Sequence, residues 1–142
     1  MKLSKEQAAI SQLCDAIELF CNGKYVSAIT LAAASEEVLA QLVNIHSKKT
    51  GIPYSTAEDT EAAMFYRFKD FLGIRNYHAY RNKIKNELKH HGDLGNKDFL
   101  TGNFKQIALN HIAGSIVNYK TIYNKLTNEK KITEFCLEIG LS

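Results

Sequence analysis

Apolar residues recur every three or four positions along most of the chain, and no stretch of any length alternates apolar and polar residues as a strand does. In the first segment this spacing predicts a helix over residues 4–21. Ser4 is a favoured N-cap residue, and Asn22 followed by Gly23 is a typical helix end. The predicted buried stripe of this helix comprises Ile10, Leu13, Cys14, Ile17, Phe20 and Cys21.

The same spacing predicts further helices. The second begins almost directly after the first, so these two form an antiparallel hairpin. The stretch "TGIPYST" predicts a loop, with Ser55 or Thr56 capping the third helix. The later helices are predicted over about 25–46, 56–72, 75–91, 104–126 and 132–139. The 104–126 helix is predicted to turn inward Ile107, Ile112, Ile116, Tyr119, Ile122, Tyr123 and Leu126.

These elements predict an all-α fold, an up-and-down helical bundle of four to five main helices plus a short C-terminal helix. We expect one domain over residues 1–142, because this length is enough to bury a single core. A hydrophobic content of 45% with 23% charged residues is typical of a soluble globular protein.

The chain has no segment with the features of a secretory signal and no run approaching about 18 apolar residues. We therefore expect a cytoplasmic protein with no membrane association. The three cysteines, Cys14, Cys21 and Cys136, lack zinc-ligand spacing and lie in apolar patterns. They are predicted to be reduced core residues.

Positive charge is concentrated in one region. The net charge of the whole chain is only +3. Residues 67–91 alone contain seven lysines and arginines against two acidic residues. A clustered basic patch is a better indicator of a phosphate-bearing partner than net charge is.

The stretch "KNELKHHG" lies at the end of the predicted fourth helix. At 100° per residue, Tyr77, Tyr80, Ile84 and Leu88 form its core-facing stripe. The nearly opposite face spans roughly 140° and has no acid, only amide, imidazole and ammonium groups, which bind phosphate and move protons. The residues on this face are His78, Asn82, Lys85, Asn86, Lys89 and His90. The alternative is an ordinary solvated helix face.

Two adjacent carboxylates stand in the apolar second helix, within "AITLAAASEEVLAQLV". A buried carboxylate needs a partner. In one interpretation, either Glu36 or Glu37 reaches solvent and the other meets a lysine or a helix N-terminus. In the other, one of them forms a salt bridge with Lys85 or Arg81 of the neighbouring helix, or orients His90 for acid–base chemistry.

Three stretches together resemble a small bacterial branch of the HEPN superfamily, the all-helical "higher eukaryotes and prokaryotes nucleotide-binding" domains. They are "AITLAAASEEVLAQLV", "KNELKHHGD" and "IVNYKTIYNKLTNEKKITEF", and the resemblance covers roughly residues 15–136. It implies a HEPN-like helical bundle that forms a homodimer. Many members are metal-independent ribonucleases, often toxins or defence proteins, so the resemblance implies no metal and no cofactor.

The HEPN signature is an arginine, usually a polar residue after it, and a histidine four to six residues beyond the arginine. The resemblance places His90 at the signature histidine, Asn86 at the polar position and Lys85 at the arginine position. Lysine keeps the charge but lacks the planar fork that grips phosphate bidentately. Arg81 lies outside the family spacing. The residues predicted to contact phosphate or RNA are Arg81, Asn82, Lys83 and Lys89.

Three functions remain open at this point. The first is RNA cleavage by the RNA's own 2′-hydroxyl, with His90 as base or acid, Lys85 stabilising phosphate charge and Asn86 positioning. Glu36 or Glu37 would be the supporting acid, and the cleft would be shared by two subunits. The second is a non-enzymatic adaptor for nucleotide, RNA or a protein of the toxin–antitoxin type. The third is a structural helical oligomer.

Other polar residues give weaker signals. His90 and His91 diverge by about 100° on a helix and lack a carboxylate at four-residue spacing, which disfavours a metal site. His46 and His111 are isolated and are predicted to be structural or exposed. Tyr119 and Tyr123 share a helix face, which favours core packing over stacking on RNA.

Overall fold

A computed structural model describes residues 1–67, 76–89 and 99–140. Within these ranges the chain is an all-α helical bundle without strands, which confirms the predicted fold class. The helices are α1 (Lys5–Cys21), α2 (Tyr25–Thr50), α3 (Ala57–Arg67), α4 (Tyr77–Arg81), α5 (Lys83–Lys89), α6 (Phe104–Tyr123) and α7 (Lys130–Ile139).

The hairpin of α1 and α2 follows the prediction closely. Ser4 Oγ accepts a hydrogen bond from the Gln7 amide at 3.0 Å, and Gln7 Oε1 accepts one from the Ser4 amide at 2.9 Å. This reciprocal capping box fixes the start of α1. Gly23, with a φ of 74°, turns the chain into α2. The predicted end of α2 near residue 46 is wrong, because the helix continues to Thr50 and stops at the left-handed Gly51.

Helix α2 is the central helix, packed between α1 and α6. Small side chains at these helix contacts let the backbones approach closely. Two serine side chains among them donate hydrogen bonds to the neighbouring helix. Ser35 Oγ donates to the Ala9 carbonyl at 2.8 Å, and Ser115 Oγ donates to the Ala32 carbonyl at 3.2 Å. The core cluster around α2 comprises Leu13, Ala16, Ile17, Ala32, Ile112, Ile116, Ile132, Phe135 and Cys136.

By length and composition alone, α2 is apolar enough to cross a membrane. In the bundle, 44% of its most apolar window is buried against other helices. The core helix of a soluble protein has the same length and composition, so this feature is compatible with a soluble protein.

Helix α3 is attached at its start to α6. Thr56 Oγ1 accepts from the Asp59 amide at 3.1 Å, so Thr56 is the cap between the two predicted candidates. The Ala57 amide donates to Asn118 Oδ1 of α6 at 2.8 Å. The predicted continuation of this helix over residues 68–72 lies outside the described residues.

The prediction of one continuous fourth helix is wrong. The chain forms the short helices α4 and α5, with a break at Asn82. The predicted core stripe is correspondingly wrong at Tyr80, whose side chain is 60% exposed, and Arg81 is buried instead at 7%. Ile84 is buried as predicted. The predicted ends near residues 75 and 91 lie outside the described residues.

The C-terminal helices pack as predicted except near their ends. Helix α6 stops at Tyr123, three residues early, because Asn124 adopts a left-handed φ of 53°. Tyr123 is 38% exposed, so its predicted inward position is wrong. Cys136 is buried, but the core prediction is wrong for Cys21, which is exposed in the last turn of α1.

Candidate ligand pocket and its buried ion-pair network

Arg81 is the centre of the site. Helix α4 is only five residues long, and Asn76 Oδ1 caps it by accepting from the Ala79 amide at 3.1 Å. Tyr77 and Arg81 are four residues apart, so they lie on the same face of α4. That face points toward α3 and the central helix, which places the Arg81 guanidinium between the buried Glu36 and the partly exposed Glu61.

The guanidinium is held by two carboxylates from different helices. Its two terminal nitrogens donate to the two oxygens of Glu36 on α2, each at 2.6 Å. Its Nε–H donates to Glu61 Oε2 on α3 at 2.8 Å. Glu61 Oε2 also accepts from the Tyr77 hydroxyl at 2.5 Å, and Glu58 lies 3.9 Å from Arg81. The fork geometry is the strong form of a charge-assisted contact.

Glu36 also binds a histidine. His111 Nδ1, on α6, lies 3.0 Å from Glu36 Oε1. An ionised carboxylate can only accept, so Nδ1 carries the proton, and in the neutral tautomer Nε2 then keeps its lone pair. Arg81 Nη1 also lies 3.4 Å from Nδ1. The side chain of His111 is 1% exposed, and its Nε2 has no hydrogen-bond partner among the described residues.

Charges in this network are stabilised by their partners. Burial alone would raise the pKa of Glu36, but hydrogen bonds from His111 and Arg81 outweigh it and hold that pKa below its ordinary value. Burial would lower the pKa of Arg81, but Glu36 and Glu61 raise it above its ordinary value. Burial and Glu61 raise the pKa of Tyr77. At neutral pH the network therefore holds an ionised Glu36, a charged Arg81 and a neutral Tyr77.

Gly114 makes the network sterically possible. A Cβ atom at this position of α6 would lie 1.5 Å from Glu36 Oε2 and 2.9 Å from Arg81 Nη2. The glycine therefore provides the space that the carboxylate and the guanidinium occupy. Its role is close approach, because it lies in the regular part of α6.

A pocket of about 290 Å³ opens beside the network, between α4–α5 and the N-terminal half of α6. His111 and Arg81 line its inner part, and the side chain of Lys83 is exposed where it lines the pocket. No Asp or Glu is among the described residues that line it. The others are Tyr77, Tyr80, Ile84, Thr101, Gly102, Asn103, Gln106, Ile107 and Asn110.

The basic face predicted from the sequence is only partly described. Asn86 and Lys89 are exposed on α5, and Lys85 is half-buried. Lys89 Nζ lies 3.5 Å from Glu37 Oε2, with both side chains about half exposed, so Glu37 is the carboxylate that reaches solvent. His90, the predicted catalytic histidine, lies outside the described residues.

Two predicted phosphate-contacting residues have protein partners instead. All three guanidinium nitrogens of Arg81 donate to carboxylates, and one of the two interpretations of the paired glutamates anticipated its salt bridge to α2. Asn82 Nδ2 donates to Glu58 and to the His78 carbonyl, and its Oδ1 is buried without a partner among the described residues.

Sequence reasoning missed the role of His111 and treated it as isolated. It also missed Glu61, which lies on the polar side of a third helix whose orientation was unknown. One signal was present. Gly114 follows His111 by three residues inside an apolar helical run, and a glycine there marks a close approach by another group.

No family model, no curated protein and no solved structure matches this chain. The HEPN resemblance therefore stays a prediction. Within residues 1–67, 76–89 and 99–140, no three His, Cys, Asp or Glu side chains come together in a way that could hold a metal ion.

Proposed function

We propose that the protein is a cytoplasmic binding module for RNA or a nucleotide, which uses the pocket and the adjoining lysines of α5. The observation that carries this proposal is the charge of the pocket. Three carboxylates lie next to Arg81, yet the described lining contains cationic and neutral side chains alone. An anion entering the pocket therefore meets no acidic side chain among the described residues of its lining.

Two features of the pocket favour a phosphate group. Lys83 is exposed and has no carboxylate partner among the described residues. Gly102 and Asn103 belong to the start of α6, whose first turn contains no acid. Asn103 Oδ1 accepts from the Gln106 amide at 3.1 Å, and the positive end of the helix dipole at this helix start favours anions.

Binding to RNA should depend on the lysines of α5. Changing Lys83 and Lys85 to Gln removes two positive charges, so we expect weaker binding of a single-stranded RNA and a smaller dependence on salt. Fluorescence anisotropy at two salt concentrations measures both. The matched control changes Lys48 and Lys49 to Gln, since both are exposed at the far end of α2. Equal losses in the two double variants, or no salt-sensitive binding, would contradict the proposal.

RNA cleavage is a second candidate, favoured by the adjacent positions of Lys85 and Asn86 on α5. Incubation of a homodimeric sample with RNA and a chelator should then give cyclic-phosphate ends. The variant His90→Ala should give none. Equal cleavage by this variant would exclude the predicted catalytic role of His90 and leave the binding proposal untouched.

A further inference from the structure

One polar atom at the pocket is left without a partner. His111 Nε2 is buried and makes no hydrogen bond to any described residue, although its ring lines the inner wall. Buried polar atoms are paired in the great majority of cases, so such an atom needs an explanation. A ligand that brings a hydrogen-bond donor to the inner end of the pocket would be that partner.

We propose that the pocket takes a single nucleotide and that His111 is its specificity-determining residue, accepting a hydrogen bond at Nε2 from an N–H or O–H group of the ligand. This inference rests on the proposed function and names the residue that selects the ligand in this pocket.

The state of His111 is set by its partner. Glu36 accepts from Nδ1–H at 3.0 Å, and the same carboxylate is locked by two hydrogen bonds from Arg81. The imidazole is thus fixed in orientation, and in the neutral ring with the proton on Nδ1 its Nε2 is the acceptor. A site built to pair with a ligand N–H or O–H group discriminates strongly against analogues that lack it.

The rest of the pocket fits the other parts of a nucleotide. Tyr80 is a large aromatic side chain that is 60% exposed and lines the pocket, as a base-stacking residue would. Lys83 and the start of α6 suit the phosphate. The volume of about 290 Å³ is close to the lower limit of about 300 Å³ for small-molecule sites, which suits a ligand of the size of one nucleotide.

Nε2 is covered in this structure, so the inference requires that side chains around it shift when the ligand binds. Tyr80, Lys83 and Gln106 are all exposed side chains of the lining. Exposed side chains of this kind change rotamer on the picosecond to nanosecond scale.

The variant His111→Asn tests the role of Nε2. An asparagine amide can occupy the place of Nδ1 and donate to Glu36, but it has no group at the place of Nε2. We expect AMP, GMP, CMP or UMP, whichever binds the wild type most tightly, to lose at least tenfold in affinity by titration calorimetry. Tyr80→Ala should also weaken binding, and the matched control His46→Asn should leave it unchanged.

Other probes separate the parts of the ligand. The nucleoside of that mononucleotide and ribose 5-phosphate should each bind more weakly than the complete mononucleotide, and inorganic phosphate more weakly still. A folded His111→Asn protein with wild-type affinity would overturn the inference. If that variant does not fold, the test is the ¹⁵N NMR signal of Nε2 in the wild-type protein. This signal must shift when the mononucleotide is added. An unchanged signal at saturation would overturn the inference.

The two proposals fail differently. Salt-sensitive RNA binding that depends on the α5 lysines, without any mononucleotide binding, would overturn the pocket inference and leave the proposed function standing. Binding of neither RNA nor a mononucleotide would overturn both.

Discussion

At the scale of single residues, Arg81 and Glu36 form the contact that connects α4 to the central helix. Both are charged and buried, so neither is stable there without the other. Their fork geometry and the extra bonds to Glu61 and His111 satisfy most of their hydrogen-bonding capacity. The main role of this ion pair is therefore to position α4 and the pocket.

Arg81→Ala should therefore strongly destabilise the protein. Removing one partner of a buried ion pair typically costs about 3–5 kcal/mol. Chemical denaturation gives the free energy of unfolding. The control is Lys131→Ala, which removes an exposed pair with Glu18 at 2.8 Å and should cost far less. Similar losses in the two variants would show that the Arg81 network does not support the fold.

Gly114→Ala should also destabilise, against the usual preference of helices for alanine. An Ala in place of Gly within a helix normally gains about 1 kcal/mol. Here the added methyl group would overlap the Glu36 carboxylate, and we expect a net loss of about 1–3 kcal/mol, typical of overpacking. A thermal melt measures the sign, and a higher melting temperature would contradict the geometry of the network.

At the scale of elements, α1 and the start of α2 could be predicted, whereas α4 and α5 could not. The first hairpin is defined by local signals, a capping box and a left-handed glycine, which act over a few residues. The break at Asn82 is set by distant partners. Arg81 must face Glu36 and Glu61, and Asn82 binds Glu58, so the continuous helical wheel gave the wrong face for Tyr80.

The start of α3 provides a test at this scale. Thr56→Ala removes the side-chain cap of α3 and should lower the free energy of unfolding by about 0.5–2 kcal/mol. The same change at Thr30, which is exposed inside α2, should leave stability nearly unchanged. Denaturation of both variants checks the difference, and equal effects would argue against the cap.

At the scale of the whole molecule, the network should make stability depend on acid pH. The pKa of Glu36 in the folded state lies below its ordinary value of 4.5. Its contribution is therefore complete above about pH 4.5 and is lost as pH falls through the folded-state pKa. The variant Glu36→Gln should therefore lose less free energy of unfolding than the wild type between pH 7 and pH 3. Urea denaturation at both pH values measures this. The exposed Glu37→Gln should retain the wild-type profile.

The assembly state is a further prediction for the whole molecule. The HEPN resemblance implies a homodimer, so sedimentation equilibrium should give twice the 16.0 kDa of one chain. A monomer at all concentrations would remove the shared cleft that RNA cleavage requires and leave the pocket on each chain as the site.

The all-α class and the ends of α1 followed from the sequence, because hydrophobic periodicity and capping act locally. The composition of residues 67–91 also indicated a basic segment around α5. Tertiary structure alone decided that Glu36 meets Arg81 and His111, residues 45 and 75 positions away in the chain. Helix packing brings such distant positions together. The spacing of residues along one helix does not show which face of another helix those residues contact.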